Sequence, residues 1–163
     1  MEIIRADMLP GSAAKPDFSF DIDSIVVAPF DATPLRLEPV PPRRKRYGLD
    51  DALYEPGSGT DRMLFVAREG EDLAGYIAAS RGWNDCATID DLAVARPFRR
   101  RGLAAALMDK ATGWARDSRL GTIRLETQTN NVAACLFYLR CGFVVGGYDR
   151  LLYRELGPER SEE

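Results

Sequence analysis

Histidine is absent from all 163 residues of the chain. That absence excludes a Ser-His-Asp triad, a Cys-His dyad, an imidazole base and any His-ligated metal. A base working near neutral pH must then be a carboxylate, or a Lys, Tyr, Cys or amino terminus with a lowered pKa. Lysine is scarce as well, present only as Lys15, Lys45 and Lys110 among 22 basic residues. The cysteines are Cys86, Cys135 and Cys141, an odd number without zinc-like spacing, so neither a disulfide framework nor a metal site is expected. No run approaches the ~18 uninterrupted apolar residues of a membrane span. Met1–Ala14 lacks the apolar core of a signal peptide, and the expectation is a cytoplasmic protein with reduced thiols. The net charge of −3 provides no field for wholesale nucleic-acid binding.

The composition present, 45% hydrophobic and 29% charged, is that of a soluble globular chain. The length suits a single domain, and a chain this size buries roughly 70% of its unfolded surface without help from disulfides. Residues 17–40 carry two short apolar runs, Ile22–Ala28 and Leu35–Leu37, punctuated by Pro29, Pro34 and Pro39. Residues 41–62 hold Pro41-Pro42, the basic run Arg43–Arg46, the acids Asp50, Asp51 and Glu55, and Gly57-Ser58-Gly59. This stretch reads as a loop, and its basic run as a solvated one because acids offset it and only Tyr47 is interleaved. From Met63 the periodicity sharpens. Met63–Ala67 and Leu73–Ser80 read as a hairpin and Thr88–Ala95 as a third strand. Leu103, Leu107, Met108, Ala111, Trp114 and Ala115 mark one face of a helix. Ile123–Thr127 reads as a strand, Val132, Cys135, Leu136 and Leu139 as a second helix, and Phe143–Val145 with Arg150–Tyr153 as a last β segment. The order β-β-β-α-β-α-β is mixed α/β, and residues 157–163 read as a frayed acidic tail.

The segment richest in chemistry runs from Leu92-Ala93-Val94 through Arg96-Pro97 to Arg99-Arg100-Arg101-Gly102-Leu103-Ala104. Pro97 ends the strand and a turn feeds a helix from Gly102. A helix start offers unpaired N–H groups and the positive end of the macrodipole, which suits a phosphate. Gly102 admits an anion close to the backbone and three arginines add charge; a plain chain reversal with solvated arginines stands beside that reading. A second pattern follows the next strand. Asn131, Ala134 and Tyr138 recur on one side of a helix, Asn130 or Asn131 can cap it, and Gly142 can stop it.

These two patterns, in this order and separated by one strand, resemble the GNAT superfamily of acyl-CoA N-acetyltransferases over roughly Met63 to Tyr153. Leu125-Glu126-Thr127-Gln128-Thr129-Asn130-Asn131, Ile89-Asp90-Asp91-Leu92, Tyr138-x-x-Cys141-Gly142-Phe143 and Gly147-x-Asp149-x-x-x-Tyr153 are similar to the streptothricin (nourseothricin) acetyltransferases. The resemblance implies a mixed central sheet flanked by helices, with acetyl-CoA as co-substrate and no metal. It implies that Arg99, Gly102 and Ala104 wrap the coenzyme pyrophosphate and that Leu92, Ala93 and Val94 bond the pantetheine arm through their backbone. It implies a contact of Asn131 with that arm, and Tyr138 as the acid that protonates the departing thiolate.

Acetyl transfer needs a neutral amine, and at pH 7 only about one lysine-like amine in 2,500 is neutral. Without histidine, carboxylates and water must remove the proton. Asp90 is the first candidate base, matching an acid of the similar family, with Asp91 in reserve. Strand alternation lets only one of them face the cleft unless a bulge intervenes. Glu126 on the neighbouring strand either joins an acidic lining or pairs with Arg124 or Arg99. Trp83 and Asn84 either wall the acceptor side, with Trp83 stacking on a cation, or simply pack. The cysteines read as core or incidental, so no covalent acetyl-enzyme is expected. A further apolar-aromatic strand of the similar family has no counterpart in Leu156–Glu163. The sheet is then one strand short, open at an edge, or completed by a second copy as a homodimer. The expected acceptor is a small cationic amine, streptothricin first, with a polyamine or protein amine and a non-catalytic acyl-CoA-binding module as alternatives.

Overall fold

A computed structural model describes residues 1–11, 15–47, 53 and 61–152. The acids at 50–51 and 55, Gly57-Ser58-Gly59, Tyr153, and the segment 156–163 lie outside the described residues. Among the described residues the order is β1 (Glu2–Arg5), β2 (Phe20–Val26), β3 (Leu37–Lys45), β4 (Arg62–Glu69), β5 (Asp72–Arg81) and β6 (Ala87–Val94). A short 3-10 turn (Arg96–Phe98), α1 (Leu103–Asp117), β7 (Ile123–Leu125) and α2 (Val132–Arg140) follow. The chain divides into two compact units, Met1–Phe18 with Gly48–Glu126, and Ser19–Tyr47 with Thr127–Glu163. No helix among the described residues is long and apolar enough to cross a membrane.

The first unit is a five-stranded sheet in the order β1-β4-β5-β6-β7, antiparallel except for the β6–β7 pair. Leu73 to Ala79 of β5 are all buried, so this central strand loses the alternation of a half-exposed one. α1 packs across β4, β5 and β6, burying Leu103, Leu107, Met108, Ala111, Trp114 and Ala115. Each large apolar side chain so buried stabilises the fold by roughly 1.5–3 kcal/mol. Leu9, Leu53, Leu64, Val66, Leu73, Tyr76 and Ala78 form a core cluster, with Phe18 and Ala93 packed at its margin. Gly75 lets β5 approach β6 closely, since a Cβ there would lie 2.7 Å from the Ala93 carbonyl.

The second unit holds the β2–β3 hairpin and α2, which packs against β2. Three expectations fail. β3 continues through Pro41 and Pro42 into the basic run instead of looping out. Its register jumps between Ile22↔Arg43 and Ser24↔Pro39, and the two prolines fall in that irregularity, where their missing N–H groups disrupt no ladder. β1 was not anticipated, because four residues ending in charge show no pattern until β4 pairs with them. Phe143–Val145 and residues 150–152 form no strand. Gly146-Gly147 interrupts them, Val144 is 86% exposed, and no partner strand pairs with them among the described residues.

Candidate active site

One group of candidate residues lies on the β6–turn–α1 segment of the first unit. β7 pairs only with Ala87–Ile89, so Asp91–Val94 are paired with β5 on one edge and, among the described residues, with no strand on the other. Leu92, Ala93 and Val94 thus lie on a strand edge that an extended ligand can complete by backbone hydrogen bonds. The Arg99 Nε donates to the Val94 carbonyl at 2.8 Å, and its Nη2 donates to the Phe18 carbonyl at 3.1 Å. Arg100 is exposed in the left-handed region with φ 59°. Gly102 follows at φ 77°, with no side-chain cap. A Cβ on Gly102 would meet nothing within 4 Å. The first amides of α1, including those of Leu103 and Ala104, have no intrahelical acceptors.

The three arginines that read as one block of charge divide the work. Arg99 braces the turn from below and Arg100 stands free of ion pairs among the described residues. Arg101 bonds both carboxylate oxygens of Glu69, at 2.8 and 3.3 Å, with its guanidinium 5.6 Å from the Phe98 ring. That hydrogen bond holds the Glu69 carboxyl below its ordinary value.

The acids are arranged by a bulge. β5 and β6 pair as Ala78↔Asp91 and then Ala79↔Ile89, leaving Asp90 as the extra residue. Both carboxylates consequently share the face of Tyr76 and Ser80. The Tyr76 hydroxyl, itself 1% exposed, donates to Asp91 Oδ2 at 2.5 Å. The Ser80 hydroxyl donates to Asp90 Oδ1 at 3.0 Å. Asp91 is half-buried and Asp90 exposed. Tyr76 and Ser80 escape sequence reading, because only the register shows which alternate residues of β5 face the acids. Glu126 lies one residue beyond β7 rather than on it, exposed and paired with Arg124 at 2.9 Å. Arg124 pairs with Thr88 in the parallel ladder, so Glu126 continues on the face of the two aspartates. Trp83 is 96% exposed in the β5–β6 turn, which rules out plain packing for it among the described residues. Asn84 accepts from the Cys86 thiol at 2.8 Å.

A separate group of candidate residues lies on α2, in the second unit. Asn131 is its N-cap, the side-chain oxygen accepting from the Ala134 amide at 3.2 Å. At the other end Gly142, at φ 89°, forms the paired bonds of a Schellman cap, Gly142 to the Leu139 carbonyl and Phe143 to the Tyr138 carbonyl. The Tyr138 ring is half-buried, 5.3 Å from the Phe137 ring and 5.8 Å edge-on from Phe143. Burial pushes the Cys135 thiol up, which makes it a poor nucleophile at neutral pH.

The Acetyltransferase (GNAT) family model matches residues 23–143. A streptothricin acetyltransferase from Escherichia coli is 40% identical over 124 residues, covering 76% of this chain and 68% of the relative. Streptothricin acetyltransferase A of Bacillus subtilis (strain 168) is 35% identical over 114 residues, covering 69% of this chain and 65% of that one. The matched segments thus span about two thirds of each curated relative. Among solved structures, a Bacillus anthracis protein assigned as a streptothricin acetyltransferase, in complex with acetyl coenzyme A, superposes with a TM-score of 0.79 at 30% identity. The likeness covers 96% of this chain and 92% of that one. With a family match over most of its length and relatives of this identity on both sequence and structure, the chain belongs to the GNAT acetyltransferase family.

Proposed function

We propose that the protein transfers the acetyl group of acetyl-CoA directly to a primary amine of a small cationic acceptor, the β-lysine amine of streptothricin. The observation that carries this reading is the bulge at Asp90, which gathers Asp90 and Asp91 on one face of β6, just past the point where its pairing with β7 ends. Two carboxylates there attract an ammonium group, and Asp90, the more exposed, can pass its proton to water. The uncapped start of α1, with Gly102 open and Arg100 beside it, suits the pyrophosphate of the coenzyme. Acetyl-CoA supplies the activated acyl group, so no acyl-enzyme is needed.

Each residue then has one task. The backbone of Leu92–Val94 holds the pantetheine arm in line, while the Arg99–Ala104 turn holds the phosphates. Asp91, seated by Tyr76, keeps the acceptor ammonium at the bulge, and Asp90 with water removes its proton. Glu126 adds negative charge on the same face. As the carbon–nitrogen bond forms and the carbon–sulfur bond breaks, the nitrogen loses its second proton to water beside Asp90, while Tyr138 gives its proton to the leaving thiolate and recovers one from solvent. Its ordinary pKa of ~10 is close to that of a thiol, so the transfer is nearly balanced. The relatives named for streptothricin support this acceptor, and a role in antibiotic resistance follows from it.

The test is thiol release from acetyl-CoA with streptothricin, beside polyamines and lysine peptides. Release with streptothricin well above the panel is expected. Preference for a polyamine or peptide would reassign the acceptor. Binding of acetyl-CoA without release to any amine would make the protein an acyl-CoA-binding module.

A further inference from the structure

The basic run hides an inward-facing lysine. β3 alternates, so Arg44 lies on the outer face, ion-paired with Asp21 at 2.8 Å, while Lys45 turns onto the face of the buried Ile22. Lys45 is 5% exposed, a position an ammonium rarely occupies without a task. Its Nζ donates to the side-chain oxygen of Gln128 at 2.8 Å and sits 4.7 Å from the centre of the Tyr47 ring. The Tyr47 hydroxyl donates to that same oxygen at 3.0 Å.

Gln128 is in turn the hub of the loop that starts α2. Its backbone carbonyl accepts from the Asn131 amide at 3.0 Å and from the Cys135 thiol at 3.6 Å. The neighbouring Thr129 carbonyl accepts from the Val26 amide of β2 at 2.9 Å. The loop is therefore pinned by both strands of the hairpin, by β2 through a backbone bond and by β3 through Lys45, and by Tyr47 two residues beyond β3. It ends on Asn131, the cap of the helix that carries Tyr138.

We infer that Lys45 is a positioning residue for acetyl transfer: with Tyr47 it clamps Gln128, and through that loop fixes the entry of α2 and the placement of Tyr138. The acyltransfer part of this inference rests on the function proposed above; the clamp does not. A hydrogen-bonded ammonium suits the task because Lys45 is buried and its loss leaves the half-buried Gln128 side chain without its charged donor. Asparagine capping and helix periodicity set that α2 forms, while the clamp sets where it begins.

The test uses the full chain in a Cys141→Ser background, with Lys45→Met, Lys45→Arg, Tyr47→Phe and Gln128→Leu. The first readout is the labelling rate of the Cys135 thiol by a maleimide, which needs no acceptor. Lys45→Met is expected to raise it about tenfold by local opening, Tyr47→Phe less, and Lys45→Arg to recover most of the protection. The second is thiol release with acetyl-CoA and streptothricin. Lys45→Met is expected to lower kcat about tenfold, as a misplaced group would, while acetyl-CoA affinity changes no more than about threefold. Labelling within about twofold of the parent in all variants overturns the clamp. Equal losses of kcat and affinity, not restored by arginine, overturn the positioning role. If Lys45→Met does not fold, Tyr47→Phe and Gln128→Leu decide by the same readouts. A parent that releases no thiol refutes the acceptor, while the labelling still decides the clamp.

Discussion

α1 and α2 are both amphipathic by spacing, yet they end in opposite circumstances. α1 buries six residues, among them Leu107 at 0% exposure, whereas α2 buries none and leaves Leu136 and Leu139 at 37% and 38%. The difference is what each helix has to pack on. α1 lies across three strands of a sheet, while α2 is described against β2, a strand of a two-stranded hairpin. A two-stranded ribbon offers too little apolar area to bury a helix, so end caps and the Gln128 loop carry a larger share of what holds α2. The Arg99–Ala104 turn is thus built on a rigid element and Tyr138 on a more lightly held one, a division that gives Lys45 its leverage.

The sharpest way to break this comparison is to truncate both helices. Leu107→Ala should cost about 3 kcal/mol by leaving a cavity in a closed core. Leu139→Ala should cost under about 1 kcal/mol, as at a partly exposed site. Urea denaturation of the two variants measures this; equal costs would mean that α2 is covered as fully as α1. Next in size, Tyr138→Phe should lower kcat about 100-fold with acetyl-CoA affinity nearly unchanged. Steady-state kinetics beside direct acetyl-CoA titration checks it, and undiminished turnover would remove Tyr138 from the reaction.

The two left-handed glycines give a smaller contrast. Gly102 and Gly142 have φ 77° and 89°, and neither would clash through a Cβ. Alanine at either should therefore cost about 1 kcal/mol in backbone strain. Only Gly102→Ala should also weaken acetyl-CoA, by about fivefold, because only Gly102 belongs to the proposed pyrophosphate site. Titration of both variants separates strain from binding.

Smallest is the Glu69–Arg101 pair. Its hydrogen bond lowers the Glu69 pKa from 4.5, so the pair stabilises the fold above that value and the contribution fades as pH falls through the lower folded value. Glu69 is 43% exposed, so the effect is modest and screened by salt. The Tm difference between the parent and Glu69→Gln should shrink on acidification below 4.5. A difference that grows on acidification would reverse the assignment.

Most of the frame was legible because it is local. The helical spacing of Leu103, Leu107, Met108 and Ala111, the short apolar β-rich runs of β4 and β5, and the glycines at 102 and 142 each act within a turn or two of the chain. Asn131 as a cap and Glu126 with Arg124 as a pair stood among the readings for the same reason: their partners are three and two residues away. β3 was missed because prolines and a run of four basic residues mimic a loop, and only its partner β2 makes Lys45 an inward position.

By itself the sequence determined what the chain has to work with: no imidazole, neighbouring carboxylates, a glycine turn before one helix and a capping asparagine before the next. Tertiary structure decided their arrangement. Asp90 and Asp91, adjacent in the chain, belong on opposite faces of any regular strand. They share a face because β6 carries one residue more than β5 can pair at that point. Register is a property of two strands at once, and so no pattern within one of them could reveal it.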